Sequence, residues 1–228
     1  MTDMIVTQWT NLPLEQPCAD EVPGLVQRYG EPLAIRATGC DEFLRTVNMS
    51  DRPAEVCMVV RRPNGKLITS TKAFYPSETY RLPTGGIHPG ESLYDALLRE
   101  THEETSLTVA VRRFLGIVRY GAADAPPDPA VGHASLQHDG LYVFTTYAFL
   151  LDELGGDLHM TDPNEMVTGY REVTLSELPA LAEHLETLGD QVARNTTEPA
   201  DVVATWRVWG AFRAVAHRIV YNALTQTG

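Results

Sequence analysis

Gly85-Gly86-Ile87-His88-Pro89-Gly90-Glu91, continuing through Arg99-Glu100-Thr101-His102-Glu103-Glu104-Thr105-Ser106-Leu107, is the stretch that decides how this chain reads. Spacings of three and four put Glu100, Glu103 and Glu104 on one face of a helix. Like charges that close repel, so a helix selected for stability alone would not carry them. A hard, oxygen-seeking cation such as Mg2+ or Mn2+ turns the repulsion into binding. The glycines ahead of the helix let backbone carbonyls and amides approach the same ion and a phosphate. A lone E-x-x-E-E is ordinarily a solvated acidic face; the glycine loop at a fixed distance is what favours the metal.

Outward from this stretch, residues 92–105 have helix-favouring composition, with Leu93, Ala96, Leu97 and Thr101 marking a buried face. Upstream, two β-prone runs at 56–62 and 67–74 flank Pro63-Asn64-Gly65-Lys66, a strong hairpin signal. Residues 82–90 read as a glycine-rich loop. Downstream, 107–120, 141–151 and 166–175 read as strands, and 176–188 as a helix. The connection 121–140, with His133 and His138, is long enough to be functional or mobile. Residues 200–224 read as one long helix with Trp206, Trp209, Phe212, Val215, Ile219 and Val220 on a wide apolar face. Two readings of that face stand side by side: it covers the chain's own sheet, or it is an interaction element that makes a homodimer. Before residue 53, a helix over 20–29, a strand over 33–37 and a short helix after Asp41 are expected, and the 50–53 cluster reads as a boundary. Strands, a central helix, more strands and a second helix imply an α/β fold with a mixed sheet packed between helices.

With 43% apolar and 21% charged residues, the chain has an ordinary globular balance. Its net charge is −12, and among 18 basic residues only Lys66 and Lys72 are lysines. That balance argues against general nucleic-acid binding, which works by neutralising phosphates. Cys18, Cys40 and Cys57 form no C-x-x-C pair, which argues against a disulfide framework or a thiolate zinc site. The start of the chain lacks the pattern of a signal peptide, and the greasiest run, 141–151, is too short to span a bilayer. A cytoplasmic protein without membrane partners is the expectation.

Gly85, Glu91, Arg99, Glu100, Glu103, Glu104 and Leu107 stand in the register of the Nudix box, G-x5-E-x7-R-E-U-x-E-E-x-G-U, where U is bulky and aliphatic, and the segment resembles that family's signature. Two positions depart from it. Thr101 stands at an aliphatic site, so its hydroxyl needs a partner. Ser106 replaces the last glycine, where a left-handed helix ending costs a non-glycine residue roughly 1 kcal/mol. Tyr80-Arg81-Leu82-Pro83 before the box resembles the family as well, as does the segment 165–178 with Arg171, Val173, Leu175, Glu177 and Leu178.

The resemblance implies an α/β/α sandwich over residues 53–181, with an N-terminal extension (1–52) and a C-terminal helical extension (182–228). It implies Glu100 and Glu104 as metal ligands, Glu103 joining them or holding a second ion, and the Thr84 carbonyl as a further ligand. One to three Mg2+ or Mn2+ ions are expected. Glu91 and Arg99 are implied as a pair that orients the helix, and the general base as Glu100 itself or Glu165 outside the box. The implied reaction is attack of a metal-activated water on a phosphorus of a nucleotide-like diphosphate. Lys72, Arg81 and Arg119, with Arg61, are candidates to meet phosphates, and Tyr80 or Tyr75 to stack on a base. No S-Q-P-W-P run or other substrate signature is found. A nucleotide-sensing regulator and an isoprenoid diphosphate isomerase use the same fold. The first needs a DNA-binding appendage and the second a catalytic cysteine in a motif that Cys57 lacks.

Overall fold

Val56, Met58 and Val60 alternate with Cys57 and Val59 along strand β3 (Ala54–Arg61), and all five are fully buried. A strand with apolar side chains on both faces must lie in the middle of three layers. The computed structural model of the protein bears this out; it describes residues 5–9, 18–38, 54–121, 144–190, 192–193 and 204–226. The helix expected after Asp41, the 50–53 boundary, most of the 121–140 connection, His133 and His138 lie outside these residues.

Strands β1 (Ile5–Trp9), β2 (Leu33–Thr38), β3, β4 (Leu67–Lys72), β5 (Thr84–Gly86), β6 (Thr108–Tyr120), β7 (Phe144–Gly155) and β8 (Val167–Val173) make one sheet in the order β1-β2-β6-β7-β3-β4-β8, with β5 paired to β3. The sheet is mixed: β2–β6 and β3–β7 are parallel, and the other pairs are antiparallel. Ala54, Val56, Met58 and Val60 pack with Phe114, Ile117 and Phe149 against helices α1 (Val22–Tyr29) and α2 (Leu93–Thr105). Cys57 and Val59, with Leu115, Val118 and Leu150, face α3 (Leu178–Glu186) and α4 (Trp206–Thr225) on the opposite side. The result is an α/β/α sandwich, and the segment before residue 53 adds two strands to the same sheet through the parallel β2–β6 pair.

The expected hairpin closes only at its mouth. Gly65 takes the positive φ that the turn needs, at 81°, but the β3–β4 register holds a single pair, Arg61 with Leu67. Beyond it the strands splay, because residues 81–86 wedge between them: Arg81 exchanges backbone hydrogen bonds with Ser70 of β4, while Thr84–Gly86 pairs with β3. The stretch expected as a loop thus carries a buried strand in its centre.

One further expectation changes, and one of two open readings is met. The last helix begins at Trp206, because Thr205 is extended and pairs with Val192 in a small two-stranded sheet, β9 (Val192–Ala193) and β10 (Ala204–Thr205). Its apolar face does not project: Trp206, Phe212, Ile219 and Val220 are at most 2% exposed, packed on the chain's own sheet. The wide face that suggested a homodimer is therefore covered from within. Close approach of the two outer helices depends on Gly210, where a Cβ would stand 2.0 Å from the Leu185 carbonyl oxygen. Among the described residues, no helix is long and apolar enough to cross a membrane.

Candidate metal centre

Alternation along β5 assigns its two faces. Thr84 lies opposite Cys57 in the ladder, so its side chain points toward α4; Gly85 lies opposite Val56 and points toward α2. Glu100 comes down on Gly85 so closely that a Cβ there would be 1.9 Å from the Glu100 carboxyl carbon. Carbonyls also alternate within the sheet plane. Pro83 O accepts from Met58 N of β3, so the Thr84 and Gly86 carbonyls face away from β3, and Gly86 O accepts from Arg99.

Helix α2 is held at both ends. Ser92 caps its start by accepting from Asp95 N at 3.0 Å, and the Glu21 carboxylate, before α1, accepts from Leu93 N at 3.0 Å. At the other end Ser106 adopts the left-handed conformation, φ 59°, that the family's glycine would adopt more easily. The free carbonyls of the last turn are taken up by chain from beyond β7: His159 N donates to Thr105 O, Thr161 N to Glu103 O, and the Tyr170 hydroxyl to Glu104 O. The Thr101 hydroxyl finds its partner in Leu97 O at 2.7 Å.

This frame brings together carboxylates from two parts of the chain. Oxygens of Glu100, Glu104 and Glu165 all lie within 4.8 Å of one another. Glu165 reaches the cluster from a short 3-10 turn, Pro163–Glu165, that follows the capping strap. Glu100 and Glu104 are 4% and 0% exposed; Glu100 Oε2 and Glu104 Oε2 lack a hydrogen-bond partner among the described residues, and Glu104 Oε1 meets the Lys72 ammonium. Burial pushes the Glu100 carboxyl up to about 7 against the opposing pull of Arg99, and burial also raises Glu104. Lys72, at the end of the splayed β4, sets its ammonium 2.8 Å from Glu104 and 2.7 Å from Glu165. Although burial disfavours its charge, the Glu104 carboxylate holds its pKa above the usual value. The donor set is hard and oxygen-only, with buried oxygens lacking partners and a cationic nitrogen among them. It fits a divalent ion such as Mg2+ or Mn2+.

Arg99 is the hub beside the cluster. Its Nε and Nη2 donate to the two oxygens of Glu91 at 2.7 and 2.8 Å, and Nη1 donates to Glu100 at 2.8 Å and Glu103 at 2.9 Å. Glu103 is thus turned to Arg99, while Glu165 takes the third place beside Glu100 and Glu104. The other sequence candidates disperse. Arg81, 4% exposed, donates to Tyr75 Oη, Leu82 O and Thr84 Oγ1 behind the loop. Tyr75 packs edge-on against Trp206. Tyr80 is half-buried beside Gly169 of β8. Arg119 lies on β6, separated from β5 by β7 and β3, and Arg61 pairs with Asp152.

Sequence reasoning missed the residues behind β5. Arg213 Nη1 donates to Glu55 Oε2 at 2.6 Å and to Thr84 Oγ1 at 2.9 Å, and Thr146 Oγ1 donates to the other Glu55 oxygen. His217 Nε2 accepts from Leu82 N at 3.0 Å. Glu55 and Arg213 are 158 positions apart, and neither belongs to a local pattern.

Residues 51–194, more than half the chain, match the family model described as NUDIX domain. The chain is 28% identical over 124 residues to an ADP-ribose pyrophosphatase of Methanocaldococcus jannaschii, an alignment covering 54% of this chain and 63% of that one. It is 32% identical over 100 residues to the chloroplastic Nudix hydrolase 19 of Arabidopsis thaliana, covering 44% of this chain and 21% of that protein. The matches thus span less than two thirds of either relative. Among solved structures, the MutT protein of Methanosarcina mazei Go1 aligns over 79% of this chain and 100% of its own, at 17% identity and a TM-score of 0.42. The box in register, the helix it forms and the matched segment agree, and the chain belongs to the NUDIX domain family.

Proposed function

We propose that the chain is a divalent-metal-dependent hydrolase that cleaves the diphosphate linkage of a nucleoside diphosphate derivative, such as ADP-ribose, a nucleotide sugar or a nucleoside triphosphate. The observation that carries this reading is the cluster of Glu100, Glu104 and Glu165, within 4.8 Å, in which Glu100 Oε2 and Glu104 Oε2 are buried without a hydrogen-bond partner among the described residues. The likeness to the ADP-ribose pyrophosphatase of Methanocaldococcus jannaschii supports the substrate class.

Glu100 and Glu104 would hold one to three Mg2+ or Mn2+ ions together with the outward Thr84 carbonyl, and Glu103 lies at the edge of the set, tied to Arg99. When bound, the metal supplies a water activated for attack on phosphorus and neutralises the leaving phosphate. Arg99, gripping Glu91 and Glu100 at once, fixes the rotamer of Glu100. Glu165 stands on a separate turn beside the ligands and takes the proton of the attacking water. Lys72, now 2.8 Å from Glu104 and 2.7 Å from Glu165, would be freed by a bound cation to meet the substrate's phosphate oxygens. Tyr80 and Arg119 are assigned to substrate only through larger movements than Lys72 requires.

Cys57 does not serve an isomerase: it is fully buried in β3, and burial pushes its thiol up to about 12. The deciding experiment is a screen of nucleoside diphosphate derivatives with Mg2+ or Mn2+, read as phosphate released after phosphatase coupling. Metal-dependent release from at least one substrate is expected, and no release from any of them overturns the reading.

A further inference from the structure

We infer that Arg213 and His217, one turn apart on α4, are positioning residues that set the height of the Thr84–Gly86 strand against the carboxylate cluster. This rests on the metal-centre reading above and extends it to a helix beyond the matched segment 51–194.

The strand is gripped from behind at two points. Arg213 Nη1 donates to Thr84 Oγ1 at 2.9 Å, and His217 Nε2 accepts from Leu82 N at 3.0 Å. His217 Nδ1 lies 3.0 Å from Arg213 O, so the neutral ring carries its proton on Nδ1 and leaves Nε2 free to accept. His217 is buried at 1% exposure, and the half-buried Arg213 sets its charge 2.6 Å from the buried Glu55. Thr84 Oγ1 takes a second guanidinium, Arg81 Nη1, also at 2.9 Å.

In front, the Glu100 side chain limits the strand at Gly85, which has no Cβ and whose place for one Glu100 fills, while Arg99 Nη2 holds the Gly86 carbonyl at 2.9 Å. A shift of β5 toward α2 drives the backbone into Glu100; a shift away withdraws the Thr84 carbonyl from the ion it would ligate. The helix that does the gripping is itself fixed, seated on Leu185 O through Gly210 and buried through Phe212 and Ile219. A rigid support placed one residue behind a metal ligand is how outer partners tune a metal site.

The test is isothermal titration of Mn2+ into the full chain, with the metal-free melting temperature of each protein measured beside it. Four proteins are compared: wild type, the double variant Glu55→Gln/Arg213→Met, which removes both buried charges together, Thr84→Val, which removes the tether but keeps the carbonyl, and Thr84→Ser. The double variant and Thr84→Val should bind Mn2+ about 10- to 100-fold more weakly, as loss of an outer partner typically does. With the best substrate of the screen, kcat should fall more than KM rises. Thr84→Ser should recover most of what Thr84→Val loses, which a role in stability alone does not predict. If the double variant does not fold, the Thr84→Val and Thr84→Ser pair carries the decision. Wild-type binding of Mn2+ matched by folded variants overturns this inference alone. Absence of Mn2+ binding by wild type overturns the metal reading, and this inference with it.

Discussion

Behind strand β5 two guanidiniums, Arg81 and Arg213, stand with one carboxylate, Glu55; in front of it five carboxylates, Glu91, Glu100, Glu103, Glu104 and Glu165, share two cations, Arg99 and Lys72. Glu55 and Arg81 behind and Glu100 and Glu104 in front are buried, the others are half-buried, and a strand of three residues separates the two groups. Behind, the carboxylate is matched, with Thr146 and Arg213 on its two oxygens. In front, charge is in surplus, and Glu100 Oε2 and Glu104 Oε2 are left without a hydrogen-bond partner among the described residues. Matched buried charge holds structure in place, whereas unmatched buried charge lowers the stability of the free protein and is satisfied by a ligand.

The largest effect should come from removing one front carboxylate. Glu104→Gln should abolish turnover, a loss well beyond the roughly 100-fold that an outer partner of a metal site contributes. Its metal-free melting temperature should not fall, because Gln keeps shape and helix propensity and relieves repulsion with Glu100 and Glu165. Wild type should melt higher with Mg2+ or Mn2+, and the variant should gain much less. Near wild-type turnover in low metal would break the contrast between the two sides.

Behind the strand, the same kind of change should act on stability. Arg213→Met leaves Glu55 buried and unpaired and should cost about 3–5 kcal/mol in urea unfolding. Glu55→Gln/Arg213→Met should recover most of that cost, since both charges are gone. A single variant as stable as wild type would mean that the pair is not matched in the way the distances indicate.

Titration gives the two sides opposite signs. Glu100 is raised to about 7 by burial, so between pH 4.5 and 7 the folded metal-free protein holds a proton that the unfolded chain has lost. Stability from this group is full at the acid end and is lost as pH rises through that window. His217 is lowered to about 4 by burial, so from pH 4 to 6.5 the unfolded chain binds the proton and stability rises with pH. The metal-free stability of wild type minus that of Glu100→Gln should therefore fall with pH by on the order of 3 kcal/mol. Wild type minus His217→Gln should climb by a similar amount. Chemical denaturation in chelator at a series of pH values measures both. Parallel difference curves would remove the distinction.

The smallest effect belongs to the helix end between the two regions. Ser106 sits at φ 59°, so Ser106→Gly should be neutral or stabilising by at most roughly 1 kcal/mol. A clear drop in melting temperature would show that the serine side chain does something that its backbone angle does not reveal.

The sequence by itself determined what local pattern can specify. Glu100, Glu103 and Glu104 at helical spacing, the buried face of Leu93, Ala96, Leu97 and Thr101 on the same helix, and the glycine loop ahead of it all express spacings of a few residues. They sufficed for the layered fold, the helix and its acidic face. Glu165 was legible only as a lone acidic residue, and two separate segments had to converge before it stood beside Glu100. The splaying of the hairpin, which carries Lys72 to Glu104, was decided by where residues 81–86 find backbone partners, between β3 and β4. The fate of the last helix was decided likewise: its aromatic face reads the same whether it meets a second copy or its own sheet, and Gly210 against Leu185 selects the sheet. Arg213 and His217 left no mark at all, because a buried ion pair between residues 158 positions apart has no period, and only packing brings the two together.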